Sequence, residues 1–394
     1  MIRGIWDIIR KEWKYMMKQK AVFIILFLIP LAVNLLLGFE FSNDQIQRIP
    51  MSIYDQDNSS LSRYIIQQFR ENEIFDVKFY TDSSSEMKEL IDKGTARVGM
   101  IVPKDFAKDI TELKSPTILM IYDGSHMSIA SAAKSKASEI LLTVRAGTAI
   151  KFVQGKMNLP EDAAQKAILS IQFANRTLYN PAKSFKNFLN PGFGAAIVQT
   201  AIALVTAVSI KRNELNEMRK DRFSYSVGKV MFYSSMGGIS LMVNLLIQIY
   251  MFQVPFRGNI IDALWLNLLL AAAVSSFGVM VSSWVKNEML ASQISAVFFI
   301  PSTVMVGYTW PVLSMPRPYQ FAARFYPFYH YGDNLRDMYL KGTSLSSMSH
   351  DVAWLLLFTA VTFIIGFLGI FAMKTEKAQD KEILGKAGES IVLS

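Results

Sequence analysis

The chain has 394 residues, is 51% hydrophobic and only 19% charged, contains no cysteine and carries a formal net charge of +9. Without cysteine it has no disulfide framework, no thiolate metal site and no cysteine nucleophile. Its apolar residues gather in uncharged runs at 21–39, 193–210, 230–254, 263–285, 289–312 and 352–373. Each is near or above the roughly 20 residues a helix needs to cross the hydrocarbon core of a bilayer. Six such runs exclude a soluble enzyme.

In chain order, the first predicted element is a helix over residues 2–17, where Ile2, Ile5, Trp6, Ile9, Trp13 and Met16/Met17 recur at helical spacing. Arg10, Lys11 and Lys14 fall elsewhere around the wheel, as in a helix lying on the inner leaflet with Trp6 and Trp13 as interfacial anchors. The alternative is a frayed basic tail. The run 21–39 reads as an uncleaved anchor, because its preceding segment carries Trp6, Glu12 and Trp13, and Gly38-Phe39-Glu40-Phe41 is too bulky for a cleavage site.

Residues 40–190 are the one long polar stretch, with 19 Lys/Arg against 18 Asp/Glu; the remaining residues hold 22 against 14. The positive charge therefore belongs to the membrane flanks: six basic residues before the first run, six within 211–229 and four after the last run. That distribution reads as topology rather than as a nucleic-acid footprint. It places both termini and the 211–229 loop in the cytoplasm and 40–190 outside. Within 40–190, strands are expected at 51–54, 77–80, 96–102 and 117–122. Helices are expected at 60–71, 84–93, 104–113, 128–155 and 160–179. The alternation predicts a small α/β domain with a mixed sheet. Asp55, Asp57 and Asp123 each follow a strand in a turn-rich stretch, where aspartate serves as a turn and cap residue; the alternative is a metal cluster. His126, His330 and His350 are too scattered for a ligand set.

No GxxxxGK[ST], GxSxG or HExxH pattern occurs. No ionisable residue lies in the middle of an apolar run, which disfavours a proton-coupled carrier or a voltage sensor. The polar groups there are neutral: Asn34, Gln199, Thr200, Asn244, Gln248, Asn267 and Gln293. Helix–helix hydrogen bonding is the first reading for each; for Asn34, Gln199, Asn244, Gln248 and Asn267 a substrate contact is the second.

Arg10-Lys11-Glu12 before a run containing Pro30, Tyr54-Asp55-Gln56-Asp57, Val102-Pro103-Lys104-Asp105-Phe106 and Tyr122-Asp123-Gly124-Ser125 form the first half of a recognisable series. Tyr179-Asn180-Pro181, Asn190-Pro191-Gly192-Phe193, Gly228-Lys229, Gly307-Tyr308-Thr309-Trp310-Pro311, Ser314-Met315-Pro316, Tyr326-Pro327-Phe328 and Leu335-Arg336-Asp337-Met338-Tyr339-Leu340-Lys341-Gly342 continue it. In this order, over nearly the whole chain, they resemble the ABC-2 class of ABC-transporter permeases, and within it the bacterial multidrug exporters with a large external domain between spans one and two. The resemblance implies a polytopic α-helical membrane protein with six transmembrane helices and an inserted extracytoplasmic α/β domain. The resemblance further implies a transport subunit that is not itself an enzyme and holds no cofactor, with ATP and Mg expected on a partner ATPase subunit. A second permease chain, identical or different, and an envelope adaptor complete the expected partners, in a bacterial inner membrane. One departure is visible: 211–220 keeps two acids of the run usual in that loop but has no Gly-Thr, and the loop to Gly228 is shortened.

The expected division is 1–20 interfacial helix, 21–39 first span, 40–190 external domain, 191–210 second span, and 211–229 coupling loop. Then follow 230–312 (spans three to five), 313–351 outer gate, 352–373 sixth span and 374–394 cytoplasmic tail. Glu214, Glu217, Arg219 and Lys220, with Glu12 from the first helix, are the expected ATPase-docking groups; a solvated helix face is the alternative for the two loop glutamates. Between 304 and 339, Gly307, Pro311, Pro316, Pro318 and Pro327 break helix while Trp310 and Phe321 keep the segment apolar. Irregular backbone at membrane depth needs cover from protein or a water-filled cavity. A pair of re-entrant helices forming a gate, with Gly307, Trp310, Pro311, Phe321 and Pro327, is expected; an outer interfacial loop is the alternative. The function expected is ATP-driven outward movement of a hydrophobic or amphipathic compound. A membrane-anchored sensor or scaffold would need neither the Pro-broken helices nor the basic loop, and an embedded enzyme lacks a catalytic cluster.

Overall fold

The computed structural model describes residues 2–42, 46–157, 160–168, 176–210 and 221–373. The chain divides into two compact units, 45–176 and the remainder. Helix α1 (Ile2–Lys18) is followed by α2 (Lys20–Glu40). Pro30 has no N–H to offer the carbonyl of Leu26. The helix widens into π turns over Ile24–Leu28, and the Ser240 hydroxyl donates to the Leu26 carbonyl instead, at 2.7 Å.

The unit 45–176 is built on a four-stranded sheet: β1 (Ile49–Asp55), β2 (Phe75–Tyr80), β3 (Val98–Val102) and β4 (Leu119–Tyr122), in the order β2-β1-β3-β4. β1 pairs in parallel with β2 and β3, and β3 antiparallel with β4, a mixed sheet. Helices α3 (Ser60–Arg70), α4 (Ser84–Asp92), α5 (Phe106–Thr111), α6 (Met127–Met157) and α7 (Glu161–Ile168) surround it. Ser59 and Ser83 start α3 and α4 by accepting the N–H groups of Ser62 and Glu86. Ile53, Phe69, Val98, Met100 and Ala137 meet in one buried core. The helix expected over 160–179 is shorter: residues 176–178 carry no helix, and 169–175 lie outside the described residues.

The three aspartates serve turns and caps. Asp55 accepts the N–H groups of Asp57 and Asn58 on one oxygen and the Ser62 hydroxyl on the other, while Asp57 accepts the Ala107 N–H at the start of α5. Asp123 takes the Ser125 hydroxyl at 2.6 Å and the Ser125 N–H at 2.9 Å, and pairs with Arg97. The Ser125 hydroxyl first, then Arg97, hold its carboxyl down to about 2 against an ordinary value of 3.8. A depressed carboxyl stabilises the fold above its unfolded value and loses that contribution as pH falls through the folded one. The melting difference between wild type and Asp123→Asn should therefore be present at pH 6 and close towards pH ~2. A gap that stays constant over that range would remove Asp123 from the balance.

The other unit continues with α8 (Phe185–Ala207), α9 (Arg222–Tyr250), α10 (Ile260–Trp284), α11 (Glu288–Met305), α12 (Arg317–Ala323), α13 (Tyr329–Lys341) and α14 (Ser349–Ala372). Together with α2, the helices α8, α9, α10, α11 and the one ending at Ala372 give six that are long and apolar enough to cross a membrane. The chain is mainly helical, a polytopic helical membrane protein. Helices α8 and α9 start before their apolar runs, because hydropathy marks the greasy stretch while a cap decides where hydrogen bonding begins. Ser184 accepts the Asn187 N–H at 3.1 Å, and Asp221 the Ser224 N–H at 2.9 Å. Helix α11 stops at Met305, short of 312, since Gly307 takes a φ of +91°.

Helix α10 lies within the bundle, with Leu266, Leu270, Ala273 and Val274 fully buried. Phe277 stacks on Phe298 at 4.5 Å between ring centres and lies against Phe299 and Phe358, joining α10, α11 and α14.

Candidate transport pathway and gate

The joint between α1 and α9 is where the interfacial helix meets the span bundle. α1 crosses α9 at Gly228, where an added Cβ would stand 2.8 Å from Ile8. Beside it, Lys229 Nζ lies 2.5 Å from Glu12 Oε1 and donates to the Ser209 carbonyl at 2.6 Å; the Tyr233 hydroxyl donates to Glu12 Oε2 at 2.7 Å. Both charged side chains are buried, 1% exposed for Lys229 and 4% for Glu12. Glu12 is thus corrected from a docking group to half of an internal ion pair. A charge inside the bundle needs its partner, and the partner occupies it. Lys229, read as the edge of the coupling loop, belongs inside α9. Trp6 and Trp13 are exposed on α1. Glu214, Glu217, Arg219 and Lys220 lie outside the described residues.

The neutral polar groups of the spans are buried, and they meet one another. On α9, Ser240, Asn244 and Gln248 recur every four residues; the Ser240 and Gln248 side chains bond to α2, while that of Asn244 lies against Gly194 of α8. Ser240 binds Leu26, the Gln248 amide donates to Asn34 Oδ1, and Asn34 makes a long 3.5 Å contact to the Asn244 carbonyl. Gln199 donates to Ser302 at 3.0 Å, joining α8 to α11, and the Tyr331 hydroxyl donates to Asn267 at 2.7 Å, joining α13 to α10. Helix–helix contact accounts for these bonds. The side-chain oxygens of Gln199, Asn244 and Gln248 have no hydrogen-bond partner among the described residues.

A cavity of about 550 Å³, which none of Asn34, Gln199, Asn244, Gln248 and Asn267 lines, is bordered by Ile29, Val33 and Leu37 of α2, Phe193, Ile197 and Thr200 of α8, and Ile300 and Thr303 of α11, with further apolar neighbours. Only the two threonines bring polar side chains, so the cavity suits an apolar body and offers no countercharge.

Between α11 and α14 the chain makes a short 3-10 turn at Val312–Ser314 and the helices α12 and α13. Helix α13 is packed into the bundle core through Tyr331, Leu335, Met338 and Tyr339. Trp310 and Phe321 are exposed, at 54% and 66%, while Gly307, Pro311 and Pro327 form the turns between the short helices.

The strongest tie in this segment was not among the expected gate residues. Tyr308 is 1% exposed; its hydroxyl accepts the Gly192 N–H at 2.9 Å and donates to the Phe188 carbonyl at 2.9 Å. The Arg336 guanidinium lies 4.4 Å from the Phe188 ring centre and 4.5 Å from that of Tyr308, and its Nη1 donates to the Tyr308 carbonyl at 3.1 Å. His330, set aside in the sequence, joins α13 to α14. Its Nδ1 is 2.7 Å from Asp351, its Nε2 is 3.0 Å from the Arg324 carbonyl, and its ring stacks on Trp354 at 4.0 Å. The motifs Asn-Pro-Gly-Phe, Gly-Tyr and Leu-Arg-Asp carried a signal for this cluster, but nothing in the sequence said that they touch.

The family model described as "ABC-2 family transporter protein" matches residues 20–368. The probable multidrug ABC transporter permease YbhR of Escherichia coli (strain K12) is 25% identical over 92% of this chain and 96% of its own length. YbhS of the same organism, also described as a probable multidrug ABC transporter permease, is 21% identical over 94% of this chain and 96% of its own. The linearmycin resistance permease protein LnrN of Bacillus subtilis (strain 168) is 22% identical over 92% and 97%. With six candidate spans, a Pro-broken segment before the last of them and a family match over most of its length, this chain belongs to the ABC-2 family of transporter proteins.

Proposed function

We propose that this chain is the membrane-spanning permease subunit of an ATP-binding-cassette exporter, moving a hydrophobic or amphipathic compound outward across a bacterial inner membrane. The observation that carries the substrate class is the apolar cavity between α2, α8 and α11, which can hold a greasy body and has no charged group to meet an ionic one. The unpaired amide oxygens of Gln199, Asn244 and Gln248 supply acceptors for a polar head along the pathway, which Asn34 and Asn267 also border. Both termini and the 211–229 loop face the cytoplasm, and 40–190 lies outside, where it caps the exit or meets an envelope adaptor. ATP and Mg are bound by a separate ATPase subunit, one under each of two permease chains. Glu214, Glu217, Arg219 and Lys220 of the loop form the docking contacts, and Trp6 and Trp13 hold the assembly at the interface. Gly307, Trp310, Pro311, Phe321 and Pro327 form the outer gate.

Affinity purification of the tagged chain from its native host in mild detergent should bring a Walker-motif ATPase with vanadate-sensitive turnover. A stable chain that never brings one defeats the exporter reading. In the same preparation, Glu214→Lys with Glu217→Lys should lower ATPase recovery at least ten-fold (about 1.4 kcal/mol per decade). Unchanged recovery would return both glutamates to a solvated helix face.

A further inference from the structure

In an unbroken α-helix the Gly192 N–H would bond directly to the Phe188 carbonyl, four residues back. In α8 the Tyr308 hydroxyl bridges these same two groups, accepting from Gly192 N and donating to Phe188 O at 2.9 Å each. The neighbouring rung cannot form, since Pro191 has no N–H. A side chain inserted beside a proline is a condition under which a helix bends. Gly192 makes the insertion sterically feasible: a Cβ there would sit 2.0 Å from the Tyr308 ring.

We propose that Tyr308 is a positioning residue whose hydroxyl is an exchangeable rung of α8, so that withdrawal of the gate segment and closure of the helix are one event. This rests on the reading of 307–327 as the outer gate. The hydrogen-bond accounting allows both states. With the hydroxyl inserted, the N–H, the carbonyl and the hydroxyl are all satisfied; with it withdrawn, Gly192 bonds directly to Phe188 and the hydroxyl bonds to water. No polar group is stranded in either state, so the choice falls to packing. The packing that holds the inserted state is the Arg336 guanidinium, which lies on both the Phe188 and Tyr308 rings and binds the Tyr308 carbonyl. Arg336 also pairs with Asp333 and so fixes the latch to α13. Gly307, with its φ of +91°, is the adjacent point at which the backbone can turn the ring out of α8. An element with two satisfied arrangements is what a gate needs to switch between discrete states.

The chain has no cysteine, so Thr200→Cys, a near-isosteric change on the cavity side of α8, gives a unique label site. The full complex carrying it is treated from outside with a membrane-impermeant methanethiosulfonate. Tyr308→Phe keeps the ring and removes the rung; without nucleotide it should raise the labelling rate at least five-fold. Vanadate trapping should raise the rate of the complex that retains Tyr308 to a similar level and leave that of Tyr308→Phe unchanged. Gly192→Ala, which displaces the ring with the hydroxyl intact, should label like Tyr308→Phe, and this second variant separates the rung from a general loosening. A cooperative melting transition in each confirms that all three proteins are folded. Equal labelling of the complexes with and without the Tyr308→Phe change, in the absence of nucleotide, overturns the relay. So does a rate for the complex retaining Tyr308 that trapping leaves unmoved in a preparation that hydrolyses ATP. A preparation with no ATPase defeats the exporter reading alone, because the nucleotide-free comparison of the two complexes stands without it.

Discussion

Lys229→Met should destabilise the helical unit by about 3–5 kcal/mol, the cost of leaving a buried charge without its partner. The ammonium group satisfies Glu12 and the Ser209 carbonyl together, and with both side chains almost fully buried water cannot replace it. Glu12→Gln should cost less, because a neutral amide still accepts from the Tyr233 hydroxyl. Glu12→Met combined with Lys229→Met should recover much of the loss, as apolar replacement of a whole buried pair often does. Thermal unfolding of the detergent-solubilised chain, read as a double-mutant cycle, measures this. Additive single effects with no coupling would mean that the two charges do not sense each other. The pair also ties α1 to α9.

The second large effect is expected at the crossing of α8 and α10. A Cβ on Gly278 would lie 1.8 Å from Thr206 Oγ1 and 2.6 Å from Thr206 Cβ, both on the neighbouring helix. Alanine is the better helix former by about 1 kcal/mol, but overpacking in a close-packed core costs about 1–3 kcal/mol. The Thr206 hydroxyl, bonded to the Ile202 carbonyl at 2.7 Å, has little freedom to move aside. Gly278→Ala should therefore destabilise, and Thr206→Gly in the same chain should restore most of the loss by exchanging which helix carries the side chain. If Gly278→Ala melts at or above the wild-type temperature, the helices are free to part and the contact is not tight.

Much of the architecture was legible because it is local. Apolar runs long enough to span a bilayer, serine and aspartate ahead of helices, and short β-rich stretches between turn residues are read within a window of a few residues. The strands of the 45–176 unit accordingly fall within three residues of their expected ends. The polar residues of the spans were also identifiable, but their roles were not. Asn34 and Gln248 are 214 positions apart, and nothing in either neighbourhood announces the other. Glu12 looked like a surface acid among basic residues; only the folded chain places Lys229, 217 positions later, against it.

By itself, then, the sequence determined a six-span helical protein with basic membrane flanks and a polar insert, since hydropathy and charge act through the solvent and need no partner. The tertiary structure alone decided which buried groups are spent on each other and which remain available. Hydrogen bonds and ion pairs inside a bilayer are short-ranged and exclusive, so a carboxylate, an amide or a tyrosine hydroxyl takes its meaning from the one group it touches. Tyr308 is the plainest case: in the sequence it is an aromatic residue after a glycine, and in the fold its hydroxyl binds the backbone of a helix 116 residues away.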